Sequence, residues 1–233
     1  IGFFGDEYIQ KIVAGDIDVD TASVRICQEL GKHGLNIVQY NKTLKNKKLR
    51  RHVDVWVRQS VLYAQRESTR DITMHVANEN GCTIFEFDAH ADARPTHQKW
   101  QGKRFDTTGK DYPTKRQLNQ NQDEDYGCLH RFFPVWDKED PMSYTQEYLD
   151  NINTKPFNFE GRMYDGYNAK QKARSLERDV RALKRQKNLL EDQGLNTDEV
   201  KQQLKYANNR YSRFMKAYGT YRRSNRTRVI KGT

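Results

Sequence analysis

Two apolar stripes in the last third of this 233-residue chain constrain its fold more than any other feature. The first stripe follows alternating steps of three and four residues, with Lys187 filling one position: Ala169, Ala173, Leu176, Val180, Leu183 and Leu190. The pattern resumes after Gly194 with Val200, Leu204, Ala207, Tyr211, Phe214 and Tyr218. Heptad-like spacing of this kind is typical of helices that pair along a seam. Because the connection around Gly194 is short, we predict an antiparallel helical hairpin with coiled-coil packing.

Positive charge is concentrated in the same region. The chain carries a formal net charge of +10. Residues 161–233 hold 19 Lys and Arg against 7 Asp and Glu, a net +12, whereas residues 1–160 hold 22 against 24, a net −2. Such asymmetry favours a polyanion or an acidic protein surface as partner. A basic but merely solvated helical surface is the alternative.

The outer faces of the hairpin and the tail behind it supply the predicted contact residues. Arg178, Arg181 and Arg185 follow three- and four-residue steps, so they should form a stripe beside the apolar seam. Guanidinium groups suit phosphates because each offers forked donors. The residues predicted to contact nucleic acid or an acidic surface are Arg174, Arg178, Arg181, Lys184, Arg185, Lys205, Arg222 and Arg223. The tail from Thr220 onward is expected to be flexible.

The first 160 residues predict a small domain of mixed helices and strands, and we therefore assign the chain to the α+β class. Residues 1–160 are predicted to form the core domain, and residues 161–233 the basic hairpin and Arg-rich tail. The expected order is a helix from Asp20 or Thr21 to Leu30, a strand at 35–40, a basic loop at 41–48, a helix at 49–80 and a strand at 82–87.

Composition excludes several classes of protein. No apolar run approaches the length needed to span a bilayer. The sequence also lacks the charged-then-apolar start of a secretory signal. Three widely spaced cysteines do not make a disulfide framework, so a reducing cytoplasm is expected during the life of the free protein.

Two segments are unusually rich in chemically active side chains. Residues 90–105 hold two His, two Arg, two Lys, a Pro, a Trp and a Gly directly after the strand predicted at 82–87. Residues 126–134, with the sequence YGCLHRFFP, form the second segment. Loops held by rigid elements are where function concentrates, and together the two segments predict one site.

The first segment, HADARPTHQKWQGKRF, resembles the signature H-x-x-A-R-P-x-H-x-x-W-Q-G-x-x-F of tailed-phage minor capsid proteins, the phage minor capsid protein 2 family. The matching positions are His90, Ala93, Arg94, Pro95, His97, Trp100, Gln101, Gly102 and Phe105. The later GCLHRFFP is similar to the family element N-C-R-H-S-x-x-P through Cys128 and His130. Gly127 stands where the family has Asn, and Leu129 where it has Arg. The blocks at 157–164 and 169–178 are similar to the start of the family's basic hairpin.

The resemblance implies a structural component of the virion of a tailed phage or prophage. Such proteins are minor head proteins associated with the portal protein, the major capsid protein or the capsid interior. The resemblance also implies a role in head assembly or DNA delivery, in contact with packaged double-stranded DNA, after assembly in the host cytoplasm. Members of the family are not established enzymes. From the residues themselves we expect no cofactor and no membrane partner.

Zinc and nucleophilic chemistry are alternatives at the two segments. His90, His97, Cys128 and His130 are the right residue types for a tetrahedral zinc site, although their spacing matches no recognised zinc pattern. Cys128 and His130 could also act as a thiol nucleophile and its base. We favour a loop without metal, in which His90 and His97 bind backbone carbonyls and orient Arg94. Trp100 and Phe105 are then its hydrophobic plug.

A metal-dependent phosphodiesterase acting on DNA in the head is the alternative function. Glu86, Asp88, His90 and His97 would have to converge on an open cleft to hold the metal. The competing interpretation of Glu86 and Asp88 is an edge strand that shows polar residues to solvent and Phe85 and Phe87 to the core.

Overall fold

The structure is a computed structural model that describes residues 2–32, 37–42, 47–118 and 128–229. Contacts between residues divide the chain into two compact units. The first unit comprises residues 1–86 and 104–140 together with 230–233. The second comprises residues 87–103 and 141–229. The segment at 90–105 is therefore shared, with residues 90–103 in the second unit and residues 104 and 105 in the first.

Three helices form the core of the first unit: α1 (Gly2–Val13), α2 (Val19–Lys32) and α3 (Val53–Glu79). Asp18 caps α2, because its carboxylate accepts the Thr21 amide at 2.9 Å. The helices enclose one apolar cluster of Ile12, Ala22, Ile26, Cys27, Leu30, Val53, Val57 and Val61. Within that cluster burial raises the pKa of Cys27 to about 12, so its thiol stays protonated and acts as a small apolar group.

A two-stranded ladder precedes α3. Strand β1 (Ile37–Lys42) pairs antiparallel with β2 (Lys47–His52), with Ile37 opposite His52. Of the loop predicted at 41–48, residues 41, 42, 47 and 48 lie in strands, and residues 43–46 lie outside the described residues. The predicted helix start at 49 is wrong, since residues 47–52 form a strand and α3 begins at Val53. The pairing with β1 satisfies the backbone groups of β2 that face β1.

The second sheet of the first unit has the order β4-β3-β5. It is built from β3 (Ile84–Phe87), β4 (Arg104–Asp106) and β5 (Phe132–Pro134). Strand β3 is central, and all four of its residues are buried. The expected edge strand with Glu86 facing solvent is therefore wrong, because β3 has a neighbour on each side and Glu86 is fully buried.

The second unit contains the remaining elements. They are α4 (Pro95–Gln98), α5 (Gln146–Asn151), the β-hairpin β6 (Phe157–Phe159) and β7 (Arg162–Tyr164), the helices α6 (Gly166–Asp192) and α7 (Asp198–Ala217), and a 3₁₀ helix at Ser224–Thr227.

Helices α6 and α7 pack together, which confirms the predicted hairpin and the mixed helix and strand fold class. Their shared core lies towards the end where α6 begins and α7 ends, and β6 and β7 close it with Phe159 and Tyr164. Phe214 is fully buried there, with its ring 5.0 Å from Phe159 and 5.4 Å from Tyr164. Towards the turn Leu189 is 63% exposed. Supercoiling of the two helices stays a prediction.

The grouping of residues 87–103 with the hairpin differs from the sequence assignment, which placed them in the core domain. The physical reason is a set of hydrogen bonds that join Ala91 and Asp92 with residues beyond 150: Asp92 donates its amide to Asn153, and the loop accepts from Thr154 and Lys170. Contact grouping is not the same property as independent folding, so a domain boundary at residue 160 stays a prediction.

Candidate functional site

We call residues 87–103 the signature loop. Three of its motif residues set the backbone geometry at the start of the short helix α4. Arg94 is extended (φ −56°, ψ 142°) and precedes Pro95, the first residue of α4. Pro suits this position because its missing N–H would have no helical partner there. The Gln98 side chain donates to the Ala93 carbonyl at 3.0 Å. Ala93, Arg94 and Pro95 thus fix the direction in which the chain enters the short helix.

Trp100 is the hydrophobic plug of the loop, as predicted. It is 4% exposed, and its ring centroid lies 4.8 Å from that of Phe87 and 5.0 Å from that of His97. Gly102 follows with φ +68°, a conformation that favours glycine. A Cβ there would lie 3.2 Å from the Cβ of Tyr144, which leaves little room for a side chain.

Gln101 and His90 join the two ends of the loop. The buried Gln101 side chain accepts the His90 amide at 3.0 Å, and His90 Nδ1 lies 3.0 Å from the Ala91 carbonyl. Burial lowers the pKa of His90 and outweighs the opposing effect of the Ala91 contact. At neutral pH the imidazole is therefore uncharged, which suits a loop that is structurally held.

Asp92 is the central residue of the loop, and sequence reasoning missed it. Its carboxylate accepts the Thr154 amide and hydroxyl at 2.8 Å each and the Tyr218 hydroxyl at 2.6 Å. Its own amide donates to the Asn153 side chain at 2.8 Å. Asp92 adopts φ +57°, a left-handed conformation that Asp tolerates better than most residues. No residue type or spacing in the sequence pointed to this position.

The first turn of α6 completes the attachment of the loop. A Cβ at Gly166 would lie 1.7 Å from Asp92 Oδ1, so only glycine allows this approach. The Lys170 ammonium donates to the carbonyls of Ala91 at 2.8 Å and of Asp92 at 3.1 Å. The loop is therefore held at the end of the hairpin where α6 begins and α7 ends: Gly166 allows its close approach, and Lys170 and Tyr218 donate hydrogen bonds to it.

Phe105, the last motif residue, belongs to the core of the first unit. Its ring stacks on Phe85 at 5.4 Å and meets the edge of Phe132 at the same distance. The Lys115 ammonium lies 5.0 Å from the centroid of Phe105 and 4.4 Å from that of Phe132. Phe105 thus packs in the sheet core, and the predicted plug is divided between the two units.

Glu86, the first residue of the alternative metal site, forms a buried ion pair with Arg104. Arg104 Nε donates to Glu86 Oε2 at 3.0 Å, with side-chain exposures of 3% and 0%. The other guanidinium nitrogens donate to the carbonyls of Lys138 at 3.1 Å and Asp140 at 2.9 Å. The Glu86 carboxylate is already neutralised by a fixed cation, so this geometry does not support the phosphodiesterase hypothesis.

Cys128 and His130 lie together in the first unit, as their spacing suggested. The Cys128 thiol is 3.4 Å from His130 Nδ1, His130 is buried, and Arg66 donates to the Cys128 carbonyl at 3.1 Å. Residues 126 and 127 of this segment lie outside the described residues.

The four zinc candidates are divided between the units. His90 and His97 belong to the second unit, and Cys128 and His130 to the first. A zinc site at these residues and the favoured loop without metal both remain predictions.

The predicted contact residues differ in exposure. Arg178, Lys205, Arg222 and Arg223 are exposed, whereas Arg174, Arg181, Lys184 and Arg185 are half-buried. Two of the half-buried cations hold the tail: Arg181 donates to the Arg226 carbonyl, and Lys184 donates to the Thr227 carbonyl at 2.9 Å. The predicted stripe of Arg178, Arg181 and Arg185 is thus not a uniform outer surface.

The described part of the tail, as far as residue 229, folds back on α6 through a buried carboxylate, contrary to the flexible segment expected. Glu177 is 4% exposed, and its Oε2 pairs with Arg226 Nε at 3.0 Å. Its Oε1 accepts the hydroxyl of the fully buried Tyr211 at 3.0 Å. Burial, reinforced by Glu177, raises the pKa of Tyr211 to about 12. One side chain of α6 therefore binds both α7 and the 3₁₀ helix of the tail.

Comparison with known proteins identifies one family. The family model described as phage minor capsid protein 2 matches residues 4–216. No curated protein matches the chain. No solved structure matches it either. Among the described helices, none has the length and apolar character that crossing a membrane would require.

Proposed function

The chain belongs to the phage minor capsid protein 2 family, and we propose that it acts inside the phage head as a structural protein that contacts packaged double-stranded DNA. In this proposal it lies at the portal or on the inner capsid wall, and its basic hairpin faces the DNA. The observation that carries the proposal is the net +12 charge of residues 161–233, carried by the hairpin and the tail that folds onto it.

The signature loop supports a structural role in this proposal. Several of its motif side chains pack or form hydrogen bonds within the protein, as Trp100 and Gln101 illustrate. A catalytic loop would instead direct such groups into an open cleft. We therefore assign the loop the task of holding the hairpin in one conformation, so that the basic surface is presented rigidly.

Fluorescence anisotropy with the full chain tests the DNA contact. Mixed-sequence duplexes of equal length should bind weakly and with equal affinity, because phosphate contacts carry no sequence information. Affinity should fall steeply with salt, since each neutralised phosphate contributes about −0.9 to the slope of log K against log salt. No binding at low salt would exclude the DNA role, and strong sequence preference would exclude the proposed mode.

Two further measurements test the remaining parts of the proposal. Cross-linking within assembled heads should join this chain to the portal or major capsid protein, and cross-links only to tail proteins would place it elsewhere. Incubation of the duplex with the protein and Mg²⁺ or Mn²⁺ should leave the DNA intact. Fragmentation that is lost in a Glu86→Gln variant would favour the phosphodiesterase instead.

A further inference from the structure

We infer that the second unit carries a built phosphate-binding site for the nucleic-acid backbone, formed where the tail, the signature loop and α6 meet. We call it the tail cluster and define it by Arg94, Lys170, Arg174, Arg223 and Arg226. The inference rests on the proposed DNA contact and names the part of the surface that makes it.

The tail cluster follows one stripe of α6. Lys170, Arg174, Glu177, Arg181 and Lys184 recur in steps of four and three, so they lie on one face of the helix beside the apolar seam. Three members of this stripe bind the tail: Glu177 through an ion pair, and Arg181 and Lys184 through backbone carbonyls. The tail is thereby fixed along a face of α6 that is already cationic.

The folded tail brings its own cations to that face. Arg226 forms an ion pair with Glu177. Its positive charge also lowers the pKa of Lys170 and of Arg174. The charge of Arg223 also lowers the pKa of Lys170. The charge of Arg94, from the signature loop, lowers the pKa of Arg174. Segments far apart in sequence thus contribute cations that repel one another.

Two carboxylates near the cluster are turned inward. Asp92 and Glu177 are each 4% exposed, and both are engaged by internal hydrogen bonds. Burial lowers the pKa of Lys170, partly offset by Asp92, and neighbouring arginines lower it further. Burial likewise lowers the pKa of Arg174, and the charge of Arg226 lowers it further. Cations that are partly desolvated and repel one another gain most from an added anion.

The arginines of the tail cluster have the chemistry to bind phosphate. Three of the tail cluster's four arginines, Arg94, Arg174 and Arg226, come from three different segments, and the exposed Arg223 belongs to the same tail segment as Arg226. Guanidinium forks match phosphate oxygens in two-pronged contacts. Within the described residues, the side chains of Arg174 and Arg223 make no hydrogen bond or ion pair, so they can engage a ligand without loss to the fold.

Paired charge variants of the full chain test the inference. In Arg174→Gln/Arg223→Gln the cluster loses two charges that support no internal bond. In the control, Lys201→Gln/Lys216→Gln, α7 loses two exposed charges outside the cluster. We expect the cluster variant to bind a mixed-sequence duplex about tenfold more weakly or worse, with the salt slope reduced by about 1.8, the value for two lost phosphate contacts. The control should stay within about twofold of the wild type, because charges outside a built site act only through screened long-range attraction.

Calorimetry with inorganic tripolyphosphate separates the site from the DNA role. Binding by the wild type and the control, lost in the cluster variant, supports the site even if the duplex fails to bind. Equal losses in the two variants, with the duplex bound, would overturn the site and leave a diffuse DNA contact. If neither phosphate probe binds but poly-glutamate does, the cluster docks on an acidic protein and the inference is wrong.

Discussion

The buried pair of Glu86 and Arg104 shows how one residue can be misjudged from its type. Because Glu86 is two positions from Asp88, the sequence suggested either metal binding or exposure to solvent. The structure instead places Glu86 in a central strand, where it is fully buried. Burying a charge is tolerable only when a partner and hydrogen bonds replace water. Arg104 supplies that replacement and at the same time ties down the carbonyls of Lys138 and Asp140.

Removal of the Glu86 carboxylate should therefore be costly. We expect Glu86→Ala to lower the free energy of unfolding by about 3–5 kcal/mol, because it leaves the Arg104 guanidinium buried without its counterion. Chemical denaturation measures the loss. Glu86→Gln keeps the shape and an acceptor oxygen, so it should cost less than Glu86→Ala. Equal stability of Glu86→Ala and the wild type would contradict a buried pair.

Gly166 and Asp92 make a residue-scale prediction in which two effects oppose each other. Alanine is favoured over glycine within helices by about 1 kcal/mol. At residue 166, however, the new Cβ would displace the Asp92 carboxylate. Overpacking of this kind costs about 1–3 kcal/mol, so we expect Gly166→Ala to destabilise the protein in thermal or chemical unfolding.

A double-mutant cycle isolates that clash. In an Asp92→Gly background the carboxylate is gone and the positive φ is retained, so Gly166→Ala should become neutral or stabilising. The same cost in both backgrounds would show that the clash with Asp92 is not its cause.

Asp106 gives a prediction for acid pH. Burial alone would raise its pKa, but hydrogen bonds from the amides of Asp111 and Thr108 outweigh burial and hold the pKa well below the usual range. A depressed carboxyl contributes stability above its unfolded pKa of about 3.9, and this is lost as pH falls towards the folded value. Wild-type stability should thus fall more steeply below pH 4 than that of Asp106→Asn.

The matched control for Asp106 is Asp16→Asn, since Asp16 is exposed in the same unit. Its acid denaturation profile should follow the wild type. Parallel profiles for Asp106→Asn and the wild type would show that the carboxylate does not hold the loop at 107–111.

At the scale of elements, the tail is an ordered part of the hairpin because of a few specific contacts. Its sequence is polar and basic, which is why it suggested a flexible end. Glu177 overrides that composition by offering a buried anion to Arg226. A short segment without an apolar face can be ordered in this way when a larger element supplies hydrogen-bond partners.

Glu177→Gln should release the tail from α6. We expect amides at 221–229 to exchange faster with deuterium, because the ion pair to Arg226 is lost. Tyr211→Phe is the control, since it removes the hydroxyl bonded to Glu177 but keeps the carboxylate for Arg226. Slow exchange at 221–229 in Glu177→Gln would mean that the carbonyl contacts of Arg181 and Lys184 suffice.

At the scale of the whole molecule, the chain leaves one unit at residue 87 and returns to it at residue 104. The signature loop is the excursion between these points, and several hydrogen bonds join it to residues between 153 and 218. Truncation at residue 160 should therefore expose the loop, because Gly166, Lys170 and Tyr218 are removed with the hairpin.

Hydrogen exchange on the chain 1–160 tests this dependence. Amides of residues 90–103 should lose protection relative to the full chain. Amides of α2 and the first half of α3 should stay protected, because their core, from Ile12 to Val61, lies wholly within the retained chain. A loop that stays protected in the truncated chain would show that the hairpin does not hold it.

The sequence by itself determined the hairpin, the family and the position of the signature loop. Helical periodicity from Ala169 to Tyr218 and rare residue types at fixed spacing are local properties, and they survive without knowledge of any distant contact. The burial of Trp100 was predicted by the same kind of local argument, since a large apolar ring between a Pro and a Gly that restrict the backbone is expected to pack inside the loop.

Only the tertiary structure decided what those elements bind. Glu86 became a buried partner because β3 lies centrally in its sheet with Arg104 opposite Glu86 on β4, and sheet order cannot be deduced from the pattern of one strand. Asp92, Gly166 and Glu177 became anchors because chain more than thirty residues away returns to them. Polar side chains are satisfied by whichever donors the fold brings near, so their roles are set by long-range geometry, whereas apolar periodicity is written in the chain itself.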